Sequence, residues 1–329
     1  MFSVGLIGYG LAGSAFHAPY IAAVPGLRLS SVVTTSHADA VRAAHPAATV
    51  VSTVDELLAG GPDLVVVASP NRFHVEHARA ALAVGARVVV DKPAAGTAED
   101  VRSIAGERLT VFQNRRWDGD FRTVRELVDA GRLGAVTRFE SRFERAARSS
   151  RTTWKASTDP ADLTDIIYDL GTHLVDQAQV LFGPATSVYA ESAGPRDATV
   201  LLAHAGGERS LLRMSDATVP VAPRFAVAGS EAGFRCWGLD PQEAAARAGA
   251  APVDEGFGVY PAPGELVTGA VEPVAIADGD YLGFYTAVAA WLRGDGPAPV
   301  PPEDSIALAE TIDAALRSRA EGRLVVPNR

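Results

Sequence analysis

Val4-Gly5-Leu6-Ile7-Gly8-Tyr9-Gly10-Leu11-Ala12-Gly13 is the stretch from which the rest of the chain is read. A short apolar run ends at Gly8, and a helix-compatible segment opens near Leu11. Strand, tight turn and helix, with glycines in the G-x-G-x-x-G spacing, form the dinucleotide-binding pattern. Gly8 allows the sharp turn out of the strand, Gly10 lets a pyrophosphate approach the backbone, and Gly13 brings the helix close to the sheet. The helix start offers N–H groups and a positive dipole end to phosphates. Residues Gly8, Tyr9, Gly10, Leu11, Ala12 and Gly13 are therefore candidate cofactor-binding residues. The competing reading is a plain βα turn, because glycines cluster in many turns.

Downstream, apolar runs alternate with helical segments. Strands are expected at 3–7, 27–33, 50–51, 63–68, 87–90 and 109–112, and helices at 11–23, 38–45, 55–59, 73–84 and 98–106. The continuous apolar run Leu64-Val65-Val66-Val67 is what a parallel strand covered on both faces requires. Repeated βαβ units predict a doubly wound parallel sheet, with ligands beyond the strand C-termini. Three polar clusters fall at those ends: Ser69-Pro70-Asn71, Asp91-Lys92-Pro93 and Gln113-Asn114-Arg115-Arg116-Trp117. Lys92 stands at a strand end in the expected cleft, where an ammonium can hydrogen-bond a substrate hydroxyl. A lone lysine is otherwise a solvent-facing charge.

Cofactor type is read at the end of the second strand. A free ribose 2′-hydroxyl calls for Asp or Glu there, and this chain has Thr34-Thr35-Ser36 instead. Hydroxyls can donate to a 2′-phosphate that an acid would repel. The expectation is NADP, with NAD possible because no arginine occupies the turn. A solvated Ser/Thr loop is the alternative.

The formal net charge of −9 argues against a general affinity for nucleic acid or an anionic membrane. No apolar run reaches the ~18–20 residues of a membrane span. A single cysteine, Cys236, leaves no intramolecular disulfide and no cysteine metal cluster. The seven histidines show no metal-ligand spacing, so no metal is expected. Together with the lack of a signal peptide after Met1, this fits a cytoplasmic protein.

At 329 residues the chain is long enough for two domains. The boundary is set at 1–118 and 119–329, the second part being α+β with a large, mostly antiparallel sheet. A helix is expected at 121–130 and an alternating strand at 137–144. Short strands follow at 187–190, 198–202, 210–214 and 225–228. Residues 146–158 are polar and basic, with Trp154 near their end, and read as a loop over the cleft or a flexible surface loop. Residues 240–279 are Gly/Pro/Ala-rich and are expected to loop across the surface. Helices close the chain at 281–293 and 303–321, and the last is expected to pack back on the N-terminal domain. Between them lies a helix at 169–181. On it Asp169, His173 and Asp176 share a face at i, i+4 and i+7. An Asp beside a His suits a general base. Equally, Asp169 reads as an N-cap and His173 as a packed surface histidine.

Taken together, the chain resembles the glucose–fructose oxidoreductase/inositol dehydrogenase (Gfo/Idh/MocA) family. The resemblance rests on Gly8 to Gly13, Ser69-Pro70-Asn71 with His74, Asp91-Lys92-Pro93 and Asp169-Leu170-Gly171-Thr172-His173, in the family's order from end to end. Phe16-His17-Ala18-Pro19, Gln113 to Asp118 and Leu239-Asp240-Pro241-Gln242-Glu243 resemble its NADP-dependent scyllo-inositol dehydrogenase-like branch. Asp91 stands where the family usually has Glu, and Asp165-Ile166-Ile167 replaces a common glycine pair. The resemblance implies an N-terminal Rossmann domain and a C-terminal domain that binds substrate and forms homodimers or homotetramers. It implies an NAD(P)-dependent oxidoreductase acting on a secondary alcohol of a cyclitol or sugar. The catalytic residues it implies are Lys92, His173 and Asp169. Thr34, Thr35, Ser36, Ser69, Pro70, Asn71, His74, Asp91, Lys92, Gln113 and Arg115 join the glycine turn around the cofactor. Lys92, Trp117, Trp154, Asp169 and His173 are expected at the substrate. A non-enzymatic cofactor-binding sensor and a reductase of another carbonyl are the alternatives on the same fold.

Overall fold

The computed structural model describes residues 1–146, 157 and 159–328. They divide into two compact units, each assembled from separate stretches of chain. The first comprises Met1–Asn114, Gln242–Phe257 and Asp280–Ile306, and the second Arg115–Pro241, Gly258–Gly279 and Ala307–Arg329.

The first unit holds six parallel strands: β1 (Phe2–Ile7), β2 (Leu27–Val33), β3 (Thr49–Val51), β4 (Leu64–Val67), β5 (Arg87–Val90) and β6 (Leu109–Val111). Their order is β3-β2-β1-β4-β5-β6. The chain thus reverses direction across the sheet between β1 and β4, the switch point at which such sheets bind ligands. The four residues of β4 and Val88 to Val90 of β5 are fully buried, because helices cover both faces. These helices are α1 (Ala18–Ala23), α2 (Ala38–Ala44), α3 (Val54–Ala59), α4 (His74–Ala83) and α5 (Ala98–Ile104).

The expected helix at 11–23 forms in two parts: a π-helical stretch, Ala12–His17, runs into α1. Pro19 carries no N–H for an i−4 bond, and the Ala18 N–H reaches back five residues to Gly13 O, which is the wider π register.

In the second unit α6 (Gly119–Asp129) leads to β7 (Val136–Glu144) and, later, α7 (Thr172–Phe182). The strands β8 (Ser187–Gly194), β9 (Asp197–Ala203), β10 (Arg209–Ser215), β11 (Phe225–Gly229) and β12 (Gly233–Cys236) follow. The expected surface loop at 240–279 is corrected. It contains α8 (Gln242–Arg247), which belongs to the first unit, and β13 (Gly264–Val267) and β14 (Val271–Val274), which extend the sheet of the second. Glycine and proline at strand ends hid these short pairs: an ideal Cβ on Gly264 would stand 2.6 Å from the Phe234 ring, so glycine is what lets β13 approach β12. Helices α9 (Tyr281–Arg293) and α10 (Pro302–Glu321) complete the chain.

The eight-stranded sheet runs β14-β13-β12-β11-β7-β10-β9-β8, antiparallel except for the β7–β10 pair. One face forms the core, with Phe139, Phe143, Leu212, Met214, Phe225 and Phe234 packed against α6, α7 and the later part of α10. The other carries Arg–carboxylate pairs, among them Arg138 and Arg142 on Glu140 and Arg213 on Asp197.

Candidate functional site

In the first unit the candidate residues gather at the C-terminal ends of the strands. Gly8 leaves β1 at φ 98°, and a Cβ there would stand 2.5 Å from the Ala68 carbonyl oxygen at the end of β4. Both the backbone conformation and the close approach demand glycine. A Cβ at Gly13 would collide with the Gly8 carbonyl oxygen, whereas one at Gly10 would meet no atom within 4 Å. The three glycines thus do different work: two close the turn, and the third leaves open space above the backbone. No side chain caps the π-helical stretch at Leu11, and its first turn carries no acid. An open backbone at an uncapped, acid-free helix start fits a pyrophosphate. Tyr9 is buried and packs edge-on to His45, so it shapes the turn from beneath. Leu11 is exposed and Ala12 half-buried.

Beyond β2, Thr34 accepts the His37 N–H at 3.1 Å, and Ser36 Oγ lies 3.0 Å from His37 Nδ1. Thr35 and Ser36 are exposed, and each hydroxyl keeps capacity for a further bond. Beyond β4, Pro70 is exposed and Asn71 buried at the start of a short 3-10 turn. Ser69 Oγ lies 3.0 Å from His77 Nδ1. His74 is buried, its ring nitrogens 2.8 Å from the Pro93 carbonyl and 2.9 Å from that of Ser69. Burial pushes its imidazole down, against the upward pull of Asp91 and the two carbonyls.

Beyond β5, Asp91 Oδ1 accepts the main-chain N–H of Lys92 at 2.8 Å, and the Lys92–Pro93 peptide is cis. Burial pushes the Asp91 carboxyl up, but His17, His74 and Lys92 outweigh it and hold the group below the ordinary carboxylate range. Beyond β6, Gln113 is buried, and its side-chain oxygen has no hydrogen-bond partner among the described residues. That acceptor at a strand end also fits a bound ligand.

In the second unit Asp169 and His173 lie on a helical run that begins earlier than expected. A π-helical turn, Ile167–Gly171, precedes α7. Asp165 Oδ1 accepts the Ile167 N–H at 2.9 Å; Asp169 is therefore inside the run and is not its N-cap. At Gly171 a Cβ would stand 3.1 Å from Met214 Sδ, so glycine lets the junction rest on β10. His173 is buried and Asp169 half-buried. Asp176, expected as the third member of one face, takes the Arg116 guanidinium on both oxygens, at 2.6 and 2.8 Å. Arg115 is buried, donates to Asp118 at 3.1 Å and lies 4.5 Å over the Phe143 ring. Gln177 of α7 donates to the Arg115 carbonyl at 2.9 Å, and Arg224 donates to Gln177 and Ser141 at 3.1 and 2.6 Å. Trp117 is half-buried, and Trp154 lies outside the described residues.

Sequence reasoning passed over two sets of supporting residues. His17 and Tyr285 stand behind Asp91, and Arg116 anchors the helix of His173 through Asp176. Only the Phe16-His17-Ala18-Pro19 string drew notice to the first, and no spacing links positions 17, 91 and 285.

Residues 2–107 match the model of the oxidoreductase family with an NAD-binding Rossmann fold, and residues 121–235 that of the GFO/IDH/MocA C-terminal domain. The chain is 37% identical to the Escherichia coli (strain K12) protein named "Uncharacterized oxidoreductase YdgJ", over 96% of this chain and 95% of that one. The chain belongs to the Gfo/Idh/MocA oxidoreductases. A second relative of this Gfo/Idh/MocA protein is the scyllo-inositol 2-dehydrogenase (NADP(+)) IolW of Bacillus subtilis (strain 168), 32% identical over 98% of this chain and 95% of the other. Among solved structures, a Klebsiella pneumoniae chain described as an oxidoreductase superposes with a TM-score of 0.91 at 33% identity, covering 100% of this chain and 96% of its own. The expected architecture, a Rossmann sheet followed by a large, mostly antiparallel one, is thus met by both the fold and the family. No described helix is long and apolar enough to cross a membrane.

Proposed function

We propose that this Gfo/Idh/MocA oxidoreductase moves a hydride between a secondary alcohol of a cyclitol or sugar and NADP. The observation that carries the reading is the placement of Lys92. It follows β5 in the same set of strand ends as the open Gly10 turn, on a loop held by Asp91 and His74. The relative IolW, named for scyllo-inositol and NADP(+), supports the substrate class and the cofactor.

When bound, the nicotinamide ring supplies the acceptor or donor of the hydride. The chain's own part is to bind, to orient and to move the proton. The Lys92 ammonium is a compact donor that holds the substrate oxygen and stabilises negative charge growing on it. His173 takes the hydroxyl proton as the carbonyl forms and returns it in the reverse direction. Asp169 binds a neighbouring hydroxyl or orients His173. Gly10, Leu11 and the helix start hold the pyrophosphate, and Thr34, Thr35 and Ser36 leave room for a 2′-phosphate. Arg115 and Trp117 belong to the same proposal at the cofactor and substrate, as do residues 119–329 as the substrate-binding part and assembly into a homodimer or homotetramer.

The test is a panel of inositols and aldoses offered with NAD⁺ and NADP⁺ separately, followed by reduced-nicotinamide absorbance. Turnover of an inositol with NADP⁺ is expected. In Lys92→Met it should fall by about 10²–10⁴-fold, with NADP⁺ still raising the melting temperature. Silence of the wild type with every polyol would overturn the substrate class, and full activity in Lys92→Met would remove Lys92 from the chemistry.

A further inference from the structure

The loop that carries Lys92 has a buried imidazole of the same unit at each end. At residue 93 it is His74, 2.8 Å from the Pro93 carbonyl. At residue 91 it is His17. Its Nε2 has no hydrogen-bond partner among the described residues and faces Asp91 Oδ2 across 3.8 Å, an electrostatic contact, while Asp91 Oδ1 accepts the Lys92 main-chain N–H at 2.8 Å. Asp91 therefore links the His17 ring to the peptide from which the Lys92 side chain departs.

His17 is in turn fixed from behind. It is fully buried, its ring packs against Phe112 with centroids 4.5 Å apart, and its Nδ1 lies 2.6 Å from the Tyr285 hydroxyl. Tyr285 is also fully buried and stacks on Tyr20. Burial first, then the charge of Asp91 and the neighbouring Tyr20, push the Tyr285 pKa well above 10, so it remains a phenol with a proton to donate. A lone pair facing the Asp91 carboxylate is repelled, whereas an N–H is attracted. With the Tyr285 hydroxyl donating to Nδ1 at 2.6 Å, the Nε2 edge that faces Asp91 presents an N–H.

We propose that His17, backed by Tyr285, is a positioning residue for Lys92: it fixes the Asp91 carboxylate and, through it, the peptide that aims the Lys92 ammonium. The inference rests on the reading of Lys92 as the group that holds the substrate oxygen. It explains why an imidazole and a phenol, which contribute polar atoms to an otherwise apolar packing site, sit together behind a strand-end loop. Their polar atoms form a line from Tyr285 through His17 to Asp91 and the Lys92 N–H.

The test uses both a substrate-free and a kinetic readout. Lysine occurs in the chain only at positions 92 and 155, so in ¹³Cε-lysine-labelled protein the Lys155→Arg variant assigns the Lys92 signal. In the wild type that signal should be dispersed, and histidine ¹⁵N shifts should report His17 protonated at Nε2. In Tyr285→Phe, which keeps the ring, and in His17→Leu the Lys92 signal should move toward that of a free lysine, while His17→Gln, which retains an N–H donor, should hold it. With the substrate found in the panel, kcat should fall about 10²-fold in His17→Leu, as expected for a displacement of about 1 Å. His17→Gln should restore most of it, and the KM for NADP⁺ should not change. A His17 protonated at Nδ1, or a Lys92 signal unmoved in both Tyr285→Phe and His17→Leu, would overturn the proposal. Because the spectra need no substrate, a wild type silent with polyols would sink the proposed reaction and leave the His17 result standing by itself.

Discussion

Replacing Gly10 by alanine separates cofactor binding from folding. A Cβ at Gly10 meets nothing within 4 Å, and Gly10 is not among the glycines with positive φ. Alanine is therefore unstrained there and restricts the unfolded chain, a gain of about 0.4–1 kcal/mol. At about 2–4 °C per kcal/mol for domains of this size, the melting temperature of the cofactor-free protein should rise by about 1–4 °C. At a hundredfold excess over Kd, NADP⁺ stabilises the wild type by about 2.7 kcal/mol, or about 5–11 °C. The added methyl fills the space reserved for the pyrophosphate, so most of that shift should vanish. Gly13→Ala is the contrasting control. Its Cβ strikes the Gly8 carbonyl oxygen, a backbone atom, and overpacking of this kind costs about 1–3 kcal/mol. The cofactor-free protein should then melt about 2–12 °C lower. Differential scanning fluorimetry with and without NADP⁺ reads all three proteins. A Gly10→Ala variant with the full wild-type NADP⁺ shift would refute the assignment of the open space to the pyrophosphate. One that melts several degrees lower without cofactor would refute the geometry.

Arg116→Leu leaves the buried Asp176 carboxylate without its bidentate partner. Loss of one member of such a pair costs about 3–5 kcal/mol, so the urea midpoint should drop sharply, and the double variant with Asp176→Leu should recover much of the loss. A different pH response is expected at Asp120. Burial raises its carboxyl to about 6, against the downward pull of Arg224, whereas in the unfolded chain it titrates near 4. The folded state therefore holds its proton where the unfolded state has released it. Stability is fully present below about pH 4 and declines by about 3 kcal/mol as pH rises to about 6. Asp120→Asn should flatten the wild-type curve between these pH values. An unchanged slope in chemical denaturation would show that Asp120 is not the group responsible.

Periodicity made the parallel sheet legible, because β4 and the Val88–Val90 part of β5 are continuous apolar runs and the other strands alternate with helical segments bounded by glycine, proline or polar residues. It failed at 240–279. There the strands have four residues each; β14 pairs only with β13, and β13 is anchored by pairing with β12, about thirty residues earlier in the chain. The π-helical turns were equally hidden: a pattern of 3.6 and one of 4.4 residues per turn cannot be told apart over five or six residues. Side-chain partners were the least legible. His173 and His204 are both buried histidines of the second unit, and composition does not separate them. In the structure His204 lies 2.9 Å from both the Gly183 carbonyl and Ser210 Oγ, which is a structural role. Asp176 likewise read as a companion of His173 until Arg116, sixty residues earlier, was seen to take its carboxylate.

The chain's own habits sharpen the case for position 92. Of its 30 basic residues only Lys92 and Lys155 are lysines. Wherever a positive charge need only pair, as on the open face of the eight-stranded sheet, the chain uses arginine. A guanidinium is broad, planar and always charged, whereas an ammonium is compact and can approach one oxygen as a point charge. A lysine on a loop that His74 holds at the Pro93 carbonyl and Asp91 holds at the Lys92 N–H is thus a departure from composition at a place where the backbone is tightly held. Solvation of a surface charge needs neither the compact head group nor the clamp. Contact with a single developing oxyanion needs both.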